Sequence, residues 1–313
     1  MKTYLIHRSL MMLVTLFGMS VLIFMLLRMA PGNIVDILFD SAGYVNPSDK
    51  KIIEAELGLD QPYVVQYAHW MGGLMQGDLG KSFRLEVPAI QVIRPRVPIT
   101  VELAVMAISI AILLGVPTGV ISAVKQDTTL DYVLRVISLS GLSMPSFWLG
   151  LLIILGMISY LGLSPIYVMA PQTWVDHLRL FGIPALAVGF RSSALIMRLT
   201  RSSMLEVMRQ DYIRTARAKG QTERVVNFHH ALKNAMLPVI TVIGIEFAFL
   251  IGGLVITETV FNIPGVARFL VQAILWRDYP IVQNLVMLIA VVVVAANFLV
   301  DLLYVALDPR IQY

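Results

Sequence analysis

Few residues in this chain are of a type and spacing to do chemistry. "GDLGKSF", Gly77 to Phe83, ends in Gly80-Lys81-Ser82 like a loop that cradles phosphate. Such a loop needs four residues between its two glycines, and the first-glycine position holds Met75. The match fails, and with it the one visible site for ATP. The five histidines are His7, His69, His177, His229 and His230. Neighbours on a helix point about 100° apart, so His229 and His230 are poorly set to chelate one ion and read as polar surface. Cysteine is absent, which removes disulfides and thiolate ligands. Neither a Ser/His/Asp set nor a carboxylate pair emerges. No catalytic, cofactor or metal site is expected.

What remains is charge inside oily sequence. Glu102, Arg191, Glu246 and Asp301 fall within apolar runs. Such groups are costly in lipid and face a bundle interior or a watery cavity. Glu102, Arg191 and Glu246 are candidates for the lining of a passage. An internal pair, or a bond to a partner subunit that fixes helix packing, explains them equally well. Gly115, Gly119, Gly244, Gly252 and Gly253 suit close helix approach.

One polar stretch stands apart, "DYIRTARAKGQTERVVNFHH", Asp211 to His230, with cations at Arg214, Arg217, Lys219 and Arg224. If Asp211 to Lys219 is helical, Ile213, Ala216 and Gly220 share a face of little bulk that another protein could approach closely. Arg214, Arg217 and Lys219 flank it and could meet a partner's carboxylates. The segment reads as a docking knob on stiff connections; the plainer reading is a positive loop that only sets topology.

The elements that must position these residues are membrane helices. Of 313 residues, 58% are hydrophobic and 14% charged, with a mean hydropathy of +0.78, too little polar surface for a soluble domain. The formal charge of +4 calls for no nucleic acid, since cytoplasmic loops of membrane proteins carry such an excess. Six runs reach the roughly 20 residues a helix needs to cross the hydrocarbon: Ser9 to Leu27, Ile99 to Val124, Val133 to Leu161, Gly182 to Leu199, Ala235 to Ile256 and Ile281 to Leu303. Lipid cannot satisfy an open strand, so all six are expected as helices, the first a retained span and not a cleaved signal. Lys2, Arg8, Lys125, Arg135, the eight cations from Arg198 to Lys233, and Arg310 fall on one side of that arrangement. Both termini are therefore expected in the cytoplasm. The expected fold is an all-α polytopic membrane protein. It divides into residues 1–30, an outer segment 31–98, and a domain 99–313 with a coupling loop at 201–234. Asp60 and Pro62, followed by Val64, Tyr67, Met71 and Leu74, predict an amphipathic helix along the outer face.

"DYIRTARAKGQTERVVNFHHALKNAMLP" resembles the cytoplasmic loop of permease subunits of bacterial ABC importers, in their peptide and nickel branch. "LGLDQPYVVQYAHWMGGLMQGDLGKSF", "VPITVELA", "SMPSFWLG", "ETVFNIPGVARFLVQAILWRDYPIVQ" and "DLLYVALDPRI" are similar, in order and spacing, to the first permease of dipeptide and oligopeptide systems. Three departures are visible, the first a longer distance from Gly220 to Leu237-Pro238 than in the general importer loop. Arg214-Thr215-Ala216 stands where the general importer loop has Glu-Ala-Ala, and "APGNIV" at Ala30 to Val35 where the branch often has Pro-Gly-Asp-Pro.

The resemblance implies an inner-membrane subunit forming half of a pore for dipeptides or oligopeptides. A second, similar permease would complete the pore. Two ATPase subunits, or one heterodimer, would receive a coupling segment of Tyr212, Ile213, Arg214, Ala216, Arg217, Lys219 and Gly220. A periplasmic binding protein would deliver substrate to the outer face, and lipid would surround the spans. Nickel chelates or another small solute are alternative cargo. A rival of another class, an ion-coupled secondary transporter using Glu102 and Glu246 as relays, is disfavoured by the absence of detectable inverted halves.

Overall fold

The computed structural model describes residues 2–29, 35–36, 47–168 and 170–307. Most of "APGNIV", and the end of "DLLYVALDPRI" with Arg310, lie outside the described residues. Among the described residues the secondary structure is helical, with one isolated bridge between Lys81 and Pro88. In chain order the helices are α1 (Lys2–Met29), α2 (Pro47–Glu56), α3 (Tyr63–Met75), α4 (Ala89–Ile93), α5 (Val97–Val124), α6 (Thr129–Ser143) and α7 (Ser146–Gly156). There follow α8 (Trp174–His177), α9 (Ile183–Met208), α10 (Asp211–Ala218), α11 (Glu223–Val225), α12 (Leu232–Gly253), α13 (Val255–Val260), α14 (Val266–Leu275) and α15 (Tyr279–Leu307). Wider π-helical turns at Met157–Leu161, Leu178–Gly182 and Val226–Ala231 extend α7 and join α8 to α9 and α11 to α12.

Among the described residues, five stretches are long and apolar enough to cross a membrane: Ile6–Met29, Ala89–Val124, Trp174–Met208, Glu223–Gly253 and Tyr279–Leu302. A sixth exists only if Thr129–Ser143 and Ser146–Leu161 count together, and these are bent by 101°. The expectation of one continuous helix from Val133 to Leu161 is thereby corrected. Pro145 drives its predecessor out of the helical region, and Met144 is extended at φ −88°, ψ 128°. The fourth and fifth spans also outrun their expected limits, because polar turns at Trp174–His177 and Glu223–Val225 add to the apolar runs.

The chain forms two units. One comprises residues 1–100 and 264–294, the other 101–263 and 295–312. In the first, α3 packs on the end of α1. Phe24 is fully buried, edge-on to Tyr67 at 5.3 Å and stacked with Trp70 at 6.3 Å between ring centroids. Burial of such a side chain contributes about 1.5–3 kcal/mol. Ser20 and Tyr67 share a hydrogen bond of 2.8 Å, and Arg28 Nε donates to Gln66 Oε1 at 2.9 Å. The face of α3 differs from expectation. Val64 is 77% exposed, and Trp70 replaces it against α1, because Tyr67 and Trp70 lie one turn apart.

The loop that failed as a phosphate cradle does hold an anion in this unit. Ser82 and Asp278 are fully buried. The Ser82 hydroxyl donates to Asp278 Oδ2, and the amides of Phe83 and Arg84 each donate to the same carboxylate at 3.2 Å. Asp278 immediately precedes α15, so its charge also complements that helix's positive end. "GKSF" thus grips the last long helix by a carboxylate of its own chain.

In the second unit α5 and α9 approach closely. A Cβ built on Gly115 would lie 2.7 Å from the Ser193 carbonyl, and one on Gly119 would lie 2.6 Å from Thr200. Gly189 is equally tight against the Ala107 carbonyl, at 2.6 Å. This is packing through small residues, as in other membrane helices. Gly244 meets Val300 in the same way. Large apolar side chains elsewhere on the long helices, such as Leu113 at 72% and Phe249 at 60% exposed, suit lipid.

Candidate functional site

The basic segment is built around α10. Asp211 in its first turn and Arg217 in its last complement the helix dipole. Ile213 and Ala216, three residues apart, turn inward and are buried with Val120, Ala123, Met204, Val226, Ala231 and Ala235. The expectation that these small residues form the face open to a partner is corrected: that face is occupied by this chain's own core. The outward face carries Tyr212, Arg214, Arg217 and Lys219. Asn234 donates to the Tyr212 hydroxyl at 2.8 Å, and Arg217 holds Glu223 at 2.9 Å through Nε and 3.3 Å through its second nitrogen. Arg214 reaches Asp211 at 3.4 Å, on the surface.

Gly220 has a role other than reducing bulk. The Gly220 amide donates to the Arg217 carbonyl at 2.9 Å, and the Gln221 amide to the Ala216 carbonyl at 3.4 Å. This pair of bonds is the Schellman motif, which places a left-handed residue just past the helix end; Gly220 has φ +76°. The glycine therefore stops α10 and aims the chain at α11. His229 is exposed and His230 half-buried, their rings edge-on at 5.2 Å, on the turn leading into α12.

The clamp that ties together the helices packed around α10 was not legible as a motif. Asp131, fully buried, receives Arg201 on both oxygens, Nε to Oδ1 at 2.9 Å and Nη2 to Oδ2 at 2.8 Å. The Ser122 hydroxyl and the Asp127 amide donate to the same carboxylate, and Arg135 Nε lies 3.4 Å away. The clamp ties the end of α5, the start of α6 and the last turns of α9, which run directly into α10. Removing one partner of such a buried pair costs about 3–5 kcal/mol, because the other charge is stranded. A weak signal existed: Thr128 followed three residues later by Asp131 is a helix-start pattern, and Thr128 does cap α6.

The charges within the spans separate into distinct environments. Glu102 is bonded to His177 Nδ1 at 2.7 Å, both partly exposed. Nearby, burial and then the Glu102 carboxylate push the Tyr167 phenol above its ordinary range. Glu246 is half-buried and accepts the Ser192 hydroxyl at 2.7 Å. Arg191, next to Ser192, instead projects from α9 and is exposed. The structure brings Glu246 to α9 but pairs it with the buried serine.

A multi-span helical protein with charges inside its spans and a braced basic helix between two of them has the build of a membrane transport component. Residues 115–313 match the family described as binding-protein-dependent transport system inner membrane component, and residues 1–104 match the corresponding N-terminal family. The chain is 39% identical to the dipeptide transport system permease protein DppB of Alkalihalophilus pseudofirmus, over 100% of both chains. It is 38% identical to DppB of Escherichia coli K12, over 100% of this chain and 99% of that one. The di/tripeptide permease DppB of Pseudomonas aeruginosa is also 38% identical, with the same coverage. Among solved structures, the inward-facing MetNI methionine ABC transporter aligns with a TM-score of 0.58 at 18% identity. That match covers 70% of this chain and 97% of the other, a likeness of fold. The chain belongs to the family of binding-protein-dependent inner-membrane components, the permease subunits of ABC importers, within the branch that holds the dipeptide permeases. It is a multi-pass transport subunit and not an enzyme.

Proposed function

We propose that this chain forms half of the translocation pore of an ATP-driven importer of dipeptides or oligopeptides. Full-length similarity to dipeptide permeases from three bacteria carries the reading. A second permease completes the pore, two ATPase subunits or one heterodimer supply hydrolysis, and a periplasmic binding protein delivers peptide. Both termini lie in the cytoplasm, as the cations of the short loops indicate. Residues 31–98 form the outer segment facing the binding protein, 99–313 the transport domain, and 201–234 the coupling loop.

Within that loop the coupling residues divide their work. Tyr212, Arg214, Arg217 and Lys219 meet the ATPase, Ile213 and Ala216 anchor α10 to its own chain, and Gly220 ends the helix. ATP binding favours one ATPase arrangement. Through α10 and the Asp131–Arg201 clamp, that preference shifts the spans between inward- and outward-facing states. Glu102, Arg191 and Glu246 line the passage in this reading, which their partial exposure supports.

The test is reconstitution. The chain with its partner permease, ATPase and binding protein should take up a labelled dipeptide only when ATP is inside the vesicle. Uptake driven by a proton gradient alone would overturn the proposal. Replacing Tyr212 by Ala together with Arg214 by Glu should uncouple ATP turnover from uptake, the assembled complex remaining intact on size exclusion. A substitution at Ala216 would not serve, since it would break internal packing.

A further inference from the structure

α9 crosses the second unit with most of one side buried, including Ser192, Ile196, Thr200 and Ser203. Its other side is unusual. Arg191, Arg198, Ser202 and Arg209 are all exposed, and at 100° per residue they fall within about 20° of one line. At 1.5 Å per residue the line runs for about 27 Å, from the middle of the span to the end beside α10. Among the described residues no carboxylate pairs with Arg191, Arg198 or Arg209. Lipid is a poor neighbour for a bare guanidinium at mid-span, whereas a watery cavity is a good one.

The lower part of this line opens into a cavity of about 740 Å³ between α6 and α9, within the ~300–1,000 Å³ common for small-molecule sites. Arg135, Arg198, Arg201 and Arg209 line it, with Glu206 the one acidic lining residue. Asp131, behind the wall, is shared between Arg201 and Arg135. Four guanidinium groups therefore face two carboxylates. The excess is positive, and it sits where Leu139, Leu142 and Met197 supply an apolar floor.

We propose that this stripe and cavity form a cationic track that takes the carboxylates of peptide substrates and favours acidic over basic cargo. The inference rests on the peptide-importer reading above and deepens it. Arg191 receives the carboxylate at mid-span. Arg198 and Arg209 take it in turn, each seven or eleven residues further on, so the group is passed between donors and not trapped by one. Ser202 supplies a neutral donor in the interval. The apolar floor accommodates side chains without selecting among them.

The experiment uses the complete importer in vesicles of neutral lipid. Binding protein is preloaded with Ala-Glu, Ala-Gln or Ala-Lys, so that its own preference cancels. Wild-type uptake of Ala-Gln reads the peptide-importer function; the ratio of Ala-Glu to Ala-Lys rates reads the track. Wild-type protein should favour Ala-Glu. The Arg198→Gln/Arg209→Gln variant should bring the ratio roughly fivefold closer to unity, the scale expected for partly screened charges a few ångströms apart. Arg198→Lys/Arg209→Lys should restore it, which separates charge from folding. An unchanged ratio in the Gln variant, with uptake of Ala-Gln intact, would overturn the track. So would a ratio that is unity in neutral lipid, with total uptake rising as anionic phospholipid is added. That outcome would assign the cavity to a lipid headgroup.

Discussion

Two buried carboxylates in this protein are satisfied by opposite means. In one unit, Asp278 is held by neutral donors, the Ser82 hydroxyl and the amides of Phe83 and Arg84. In the other, Asp131 is held chiefly by a cation, with Arg201 on both of its oxygens. Removing the carboxylate strands no charge in the first arrangement; in the second it strands Arg201. A loop needed only for static attachment can use backbone dipoles. The joint beneath α10, which must transmit force from an ATPase in the proposed mechanism, uses the stronger and more directional bidentate pair.

The two carboxylates should respond differently to substitution, as read from the apparent thermal midpoint of the purified assembly. Asp131→Asn should be the most damaging, costing about 3 kcal/mol, because the half-buried Arg201 loses the charge that compensates it on both nitrogens. An effect no larger than that of Asp278→Ala would sink the contrast. Asp278→Ala should cost about 1–3 kcal/mol, through donors left without an acceptor. Ser82→Ala removes one donor and leaves the two amides in place, so its cost should be about 1 kcal/mol. The double change Asp131→Leu/Arg201→Leu should be milder than Asp131→Asn, since no guanidinium is stranded, though the Ser122 hydroxyl and the Asp127 amide lose their acceptor. Uptake by that double variant should nevertheless fall, because the joint has lost its directionality. Full uptake would remove the clamp from the coupling path.

Much of the architecture was readable from residue order. The apolar runs identified five helices long enough to cross, and a sixth if the bent pair counts as one, because lipid leaves the backbone no alternative. The glycines at 115 and 119 pack against Ser193, Ile196 and Thr200, as small residues within an apolar run suggest. Pro145 carried a break that the hydropathy of its neighbours concealed. The polar constellations were harder. Asp131 and Arg201 are seventy residues apart and Ser82 and Asp278 one hundred and ninety-six, and no local spacing announces such pairs.

Residue order alone marks a helical membrane protein of the importer-permease family, with a short basic helix between two spans. Periodicity also grouped Ile213 with Ala216 on one face of that helix. Which way that face turns depends on long-range packing: a helix repeat states which residues sit together, not what stands opposite them. Here the neighbours are Val120, Met204 and Ala235, so the small residues go inward and the cations outward. The same reason governs "GKSF", whose donors were visible in the chain but whose anion, Asp278, arrives from the far end of it.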